Sequence, residues 1–262
     1  MSSLFELARQ GSPLSRLDIS DMHGHIGRFN FGIPDISTAG MVAAMDRIGI
    51  ARIVCSHMRC MSADVVWGND QVLQAMRQHT GRILGYFSVW PGSAEVVRRE
   101  SEIRISQGFI GLKLHNVNGF LYDDPAYAPA YELSHARRMP VLLHTWGGPH
   151  EFQAVRTLSL RYPELSFLLA HTGSANLAGY IAIARECSNV YLDLALSLSH
   201  RGLVARIAQE AGAHKVVWGS DSCFFSPAQQ IGKVLVAAIP DADKIQILSL
   251  NARRMLDRVL RA

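Results

Sequence analysis

The stretch Pro140–His171, PVLLHTWGGPHEFQAVRTLSLRYPELSFLLAH, holds one complete unit of the fold. It opens on a short apolar run closed by His144, passes through a segment with helical spacing, and ends on a second apolar run closed by His171. Short runs of this kind read as buried strands. Working outward, comparable runs lie at Asp18–His23, Arg52–His57, Ile83–Val89, Ile110–His115, Val190–Leu194 and Lys215–Gly219, which with Pro140–Thr145 and Ser166–His171 make eight. Their starts fall roughly 24 to 34 residues apart, the length of one strand and its returning helix. Between them, Met41, Val42, Met45 and Ile48 follow the spacing of an amphipathic helix, as do Leu203, Val204, Ile207 and Ala211. Ile245, Leu248, Met255 and Leu256 repeat it in a closing helix.

Eight alternations without a break in composition predict a slightly distorted (β/α)8 TIM barrel, one domain over residues 1–262. An open doubly wound sheet would carry a glycine-rich phosphate turn after its first strand, and Met22–Gly27 is no GxGxxG. With 48% hydrophobic and 18% charged residues, the chain is excluded from the disordered class. The net charge is +4, but the basic residues are scattered singly or in pairs, so no nucleic-acid partner is expected. Cys55, Cys60, Cys187 and Cys223 form no CxxC pair and read as reduced thiols. The opening lacks the pattern of a signal peptide, and no apolar run is long enough to span a bilayer. A cytoplasmic protein with no membrane partner is expected.

Six of the eleven histidines, His23, His25, His57, His115, His144 and His171, stand at or just beyond predicted strand ends. In an α/β barrel that rim is where active sites are built. In Asp21-Met22-His23-Gly24-His25 the two imidazoles lie two apart, hence on one face of a strand, and Gly24 between them allows close approach of backbone and metal. The eighth run, Val216-Val217-Trp218-Gly219-Ser220-Asp221, ends in a carboxylate. Burying such groups separately costs several kcal/mol, whereas convergence on one cation satisfies them together. Nitrogen donors with one carboxylate suit Zn²⁺ first, with Mn²⁺, Fe²⁺ or Co²⁺ as alternatives. In Gly111-Leu112-Lys113-Leu114-His115, Lys113 and His115 share the other face from the two leucines. Lys113 reads as a barrel lysine paired with a carboxylate such as Asp193, a carbamylated bridge between two metals, or a cation orienting an anionic substrate; the last is favoured, with one metal. His57 reads as a capped strand-end histidine.

These pieces resemble the amidohydrolase superfamily, in its amidohydrolase-related branch of metal-dependent TIM-barrel hydrolases, which also holds nonoxidative decarboxylases. The matching segments are DMHGH, GLKLHNVNGF at Gly111–Phe120, PVLLHT at Pro140–Thr145, LAHTG at Leu169–Gly173, WGSD at Trp218–Asp221 and the closing LSLNARRML at Leu248–Leu256. The resemblance implies that His23, His25, His144 and Asp221 hold a metal and that His171 lies beside it. Trp146 departs from the small residue common there and narrows the pocket.

Hydrolysis of an ester, lactone or amide of a small carboxylic acid is the first expectation. A metal-activated water would be the nucleophile, Asp221 would carry the proton, and His171 would steady the oxyanion. Lys113 assists, while His115, Arg59 and Trp146 are expected to contact a small, anionic substrate by their position in or near the rim loops. Decarboxylation of an aromatic or unsaturated acid uses the same residues, with Asp221 supplying a proton to carbon. A non-catalytic, metal-stabilised binding protein is the reading from another class, and a homo-oligomer is compatible with all three. Loops Ile26–Ala39, Met58–Asn69, Asn116–Tyr127 and Ser222–Pro227 carry Phe29, Phe31, Trp67, Phe120, Tyr122, Phe224 and Phe225, which with Trp146 are candidates for an apolar pocket.

Overall fold

The computed structural model describes residues 3–30, 32–33, 35–195 and 200–260. Eight parallel strands form one sheet in chain order: β1 (Ile19–Ile26), β2 (Ile50–His57), β3 (Ile83–Phe87), β4 (Gly111–Leu114), β5 (Pro140–Leu143), β6 (Ser166–Leu169), β7 (Val190–Asp193) and β8 (Val216–Val217). The last strand returns to the first. Met22 N donates to Trp218 O at 3.0 Å, Asp221 N donates to His23 O at 2.8 Å, and Gly24 bridges Ser222. The sheet is therefore a nearly closed (β/α)8 barrel.

Helices α1 (Leu4–Arg9), α2 (Thr38–Ile48), α3 (Val65–Gln78), α4 (Ala94–Ser106), α5 (Ala128–Ala136), α6 (Pro149–Arg161), α7 (Leu177–Glu186), α8 (Leu203–Ile207), α9 (Pro227–Leu235), α10 (Asp241–Ile245) and α11 (Asn251–Leu260) complete the fold. Local chemistry starts and stops them. Ser37 Oγ accepts the Gly40 N–H at the head of α2, and Gly49 ends that helix at φ 91°. At α6, Pro149 opens the helix and Glu151 accepts the N–H groups of Gly148 and Trp146, tying the loop after β5 to the helix that follows. No helix among the described residues is long and apolar enough to cross a membrane.

The strands divide their side chains between two layers. Ile53, Leu112, Leu114, Val141, Leu143, Phe167, Leu169 and Leu192 face the helices. Met22, Val54, Tyr86, Leu142, Leu168 and Val217 fill the barrel interior, where Ala252, Met255 and Leu256 of α11 close its lower end. Simple alternation from Met22 would turn His23 outward. A register shift between Asp21 and Gly24 resets the phase, so the strand places Met22 in the plug and turns His23 and His25 toward the upper cavity. Asp21 Oδ1 accepts the N–H of His23 at 3.1 Å and of Ser220 at 2.9 Å, satisfying amides at this irregularity.

Several strands stop short of the sequence expectation. Ser88, His115, Thr145, His171 and Leu194 lie beyond their ladders, and Lys215 sits in a 3₁₀ turn with Nζ on the carbonyls of Cys187 and Ser188. The backbone leaves the ladder where side chains must converge. His171 (φ 61°) and Asp221 (φ 56°) even adopt the left-handed region, a strained conformation for residues other than glycine.

Candidate active site

At the upper end of the barrel, β1 and the segment after β8 bring three donors together. His25 Nε2 lies 3.2 Å from Asp221 Oδ1 and 3.2 Å from His23 Nε2, and His23 Nε2 lies 3.5 Å from Asp221 Oδ1. All three residues are buried. An ion at about 2.0–2.2 Å from each donor, the usual range for imidazole and carboxylate ligands, matches a triangle of this size. The donor set therefore suits a divalent cation.

Each imidazole is fixed from behind. His23 Nδ1 lies 2.7 Å from Asp193 Oδ2 on β7, and His25 Nδ1 lies 3.0 Å from Ser56 Oγ on β2. With Nδ1–H of His23 donating to the carboxylate, its Nε2 lone pair faces the other donors. Gly219 makes room for this pair: a Cβ there would come within 2.3 Å of Asp193 Oδ1 and 2.5 Å of His23 Cβ. Gly24 has a packing role as well. Its missing Cβ clears Ile53 and Cys55 of β2, at 2.5 and 3.0 Å, so it serves strand packing.

Burial pushes His23 well below the ordinary imidazole range, with the Lys113 charge acting in the same direction, so the ring is neutral and able to donate its lone pair. Burial raises Asp193 to about 7. Burial also opposes ionisation of Asp221, but His23, His25 and His171 around it overcome that and hold it below the usual carboxylate range.

The opposite side of the cavity is built from β4, β5 and β6. His171 Nδ1 donates to Ala195 O at 2.7 Å, which leaves its Nε2 as an acceptor, 3.1 Å from His144 Nδ1. His144 Nε2 is then a buried lone pair with no hydrogen-bond partner. His144 falls outside the three-donor group. Tyr122 Oη donates to its carbonyl, anchoring the strand end. His115 stacks on His144 with centroids 3.8 Å apart, and the file of rings runs on through His171 and His23 to His25. Burial lowers His144, His171 and Lys113, and brings His115 down to about 3.

Lys113 is completely buried, and its Nζ has no hydrogen-bond partner. The pairing with Asp193, one of its three alternative readings, is not formed, because Asp193 is taken by His23 and by the Ala195 N–H.

A cavity of about 480 Å³ opens over the imidazoles, lined by His25, His115, His144, His171 and Asp221 with Phe29, Met58, Cys60, Met61, Val117, Trp146, Phe224 and Phe225. Trp146 flanks His144 at 4.4 Å, and Phe224 flanks His25 at 5.7 Å. Of the expected pocket aromatics, Tyr122 is instead a buried loop anchor, Phe120 packs on the core beside Trp90, and Trp67 stands edge-on to His57. Phe31 lies outside the described residues. Arg59 is half-exposed toward Asp64, 3.8 Å away, and does not line the cavity. The thioether walls, Met58 and Met61, carried no spacing signal in the sequence.

The family model described as Amidohydrolase matches residues 20–258. The chain belongs to the amidohydrolase family. It is an enzyme's fold with an enzyme's family around it, and three solved structures share its architecture. An uncharacterized TIM-barrel protein from Bordetella bronchiseptica is 17% identical, with a TM-score of 0.76 over 93% of this chain and 99% of that one. 5-Carboxyvanillate decarboxylase from Sphingomonas paucimobilis is 15% identical, with a TM-score of 0.70 over 92% and 99%. Dihydroxybenzoic acid decarboxylase from Polaromonas, with bound manganese and the inhibitor 2-nitroresorcinol, is 18% identical, with a TM-score of 0.70 over 91% and 96%. A comparison with curated protein sequences finds no match.

Proposed function

We propose that this amidohydrolase-family enzyme is a nonoxidative decarboxylase of a small aromatic acid. The observation that carries this reading is the combination of a buried His23–His25–Asp221 donor triangle with aromatic and thioether walls above it. The decarboxylases of similar fold, one of them with manganese and a nitro-substituted phenol, support it.

His23, His25 and Asp221 would hold the cation, and the unpartnered Nε2 of His144 makes that residue the candidate fourth donor. A bound Mn²⁺ or Zn²⁺ would supply Lewis-acid attraction for the substrate carboxylate and a neighbouring oxygen. Asp193 and Ser56 orient the two histidines of β1. Asp221, a carboxylate at rest, takes the proton released when the substrate hydroxyl binds and returns it to the ring carbon bearing the carboxylate. The bond from that carbon to the carboxylate then breaks, CO2 leaves, and its electron pair restores the ring. Trp146 and Phe224 hold the ring in place and keep water from the protonated carbon. The buried Lys113 disfavours protonation of His23, keeping that ring available as a donor. Neither Lys113 nor Arg59 lines the cavity, so direct substrate contact is assigned to Trp146 and the histidines.

A second reading is hydrolysis of an ester, lactone or amide, in which the ionised Asp221 would accept a proton from water. A panel of hydroxybenzoates and small aryl esters, supplied to manganese- or zinc-loaded protein, separates the two. Decarboxylation gives CO2 and the arene in equal amounts. If acid is released from esters with no CO2 from any acid, the decarboxylase reading fails.

A further inference from the structure

The imidazoles around the cavity do not all present the same kind of nitrogen. His23 and His171 donate through Nδ1 to fixed acceptors, Asp193 and Ala195 O, and so turn a lone pair inward at Nε2. His115 is wired the other way. The Val117 N–H donates to its Nδ1 at 3.1 Å. A nitrogen that accepts a hydrogen bond carries no proton, so the ring is neutral and its proton resides on Nε2. That Nε2 makes no hydrogen bond to any described residue, and the ring forms part of the cavity wall. Stacking on His144 at 3.8 Å and an interplanar angle of 19° prevents it from swinging away.

The same wiring occurs at the end of β2, where the Arg59 N–H donates to His57 Nδ1 at 3.1 Å. There the ring is used up in packing. Gly27 lies so close that a Cβ would come within 2.3 Å of His57 Nε2, and Trp67 closes on the ring at 5.0 Å. At β4 the ring is instead part of the cavity wall, and its Nε2–H has no partner among the described residues.

We propose that His115 is a specificity-determining residue: its fixed Nε2–H recognises a hydroxyl or oxo oxygen that the substrate carries in addition to the groups held by the cation. This rests on the function proposed above, and it narrows the substrate class to acids with a further acceptor oxygen. Acids bearing hydrogen or methyl at that position leave the donor unpaired in a buried setting and bind about tenfold more weakly.

The test uses the full chain loaded with manganese and reads binding, by calorimetry and by intrinsic tryptophan fluorescence, not turnover. The probes are 2,6-dihydroxybenzoate and 2-hydroxybenzoate. Wild type should prefer the dihydroxy acid by about tenfold. H115Q, whose amide can place an N–H near Nε2, should keep most of that preference, and H115F should abolish it. Independently, two-bond 1H–15N spectra of the wild type should show His115 as the Nε2–H tautomer. An Nδ1–H tautomer overturns the proposal, as does H115Q losing the preference as fully as H115F. If wild type binds both acids with equal affinity or takes up neither, the substrate class is wrong. If it binds both with the expected preference but decarboxylates neither, His115's role stands and only the reaction falls.

Discussion

The imidazoles that rise from β1 and those that rise from β4 and β5 share one cavity but are held in different ways. On the β1 side each imidazole of the donor triangle is held from behind: Asp193 backs His23, Ser56 backs His25, and Asp221 closes the group. On the other side two buried nitrogens, Lys113 Nζ and His144 Nε2, have no partner. The first side is preorganised for a cation; the second holds capacity for something that arrives. Other buried polar atoms among the described residues also lack partners, Asp21 Oδ2 on β1 among them, so it is the place of His144 in the cavity wall that ties its free nitrogen to ligand chemistry.

The largest effect should come from breaking the triangle. D221N removes one charged donor and the proton carrier together, so it should strip the bound cation and lower kcat/KM by about 10³-fold; metal analysis and a CO2 assay check both. Less severe is D193N, which leaves the three donors but loosens His23. Cation affinity should fall about 10- to 100-fold with the fold intact, measured by competition with a chelating indicator. G219A should imitate it, because the added methyl meets Asp193 Oδ1 and His23.

Lys113 offers a change of opposite sign. K113M replaces an unpartnered buried amine by an apolar chain of similar length, and should raise unfolding free energy by about 1–4 kcal/mol in urea titration while reducing turnover. A K113M protein that is less stable than wild type would mean that the amine has a partner after all. The smallest effect is expected of S56A, where one hydrogen bond worth about 1 kcal/mol is lost and cation affinity drops several-fold, again read by chelator competition.

The barrel and the places of its histidines were legible because both depend on short-range pattern. Apolar runs at a regular interval give strands, and a polar residue directly after such a run falls on the rim, as His144 and His171 do. Three features were hidden, each set by a neighbouring strand. The placement of His23 and His25 rests on a register shift in β1, which exists only relative to β2. Asp193 closes the run Val190–Asp193 and was legible only as a partner for Lys113; the proximity of β7 to His23 across the barrel gives it another role. Protonation patterns depend on backbone groups such as Ala195 O and Val117 N–H, which no side-chain motif encodes. The same locality explains Arg59: a loop position after β2 suggested an anchor, but the short 3₁₀ turn Met58–Met61 directs Met58, Cys60 and Met61 inward and leaves the guanidinium beside Asp64.

Among the described residues, Met22, Tyr86, Met255 and Leu256 pack the lower barrel, so the cavity opens at its upper end. Entry and exit must then take turns. On the proposed reaction, a decarboxylated arene still lodged beside Trp146 and Phe224 would bar the next acid, so product should inhibit competitively against substrate, and widening the doorway by W146A should relieve that queue more than it alters the chemical step.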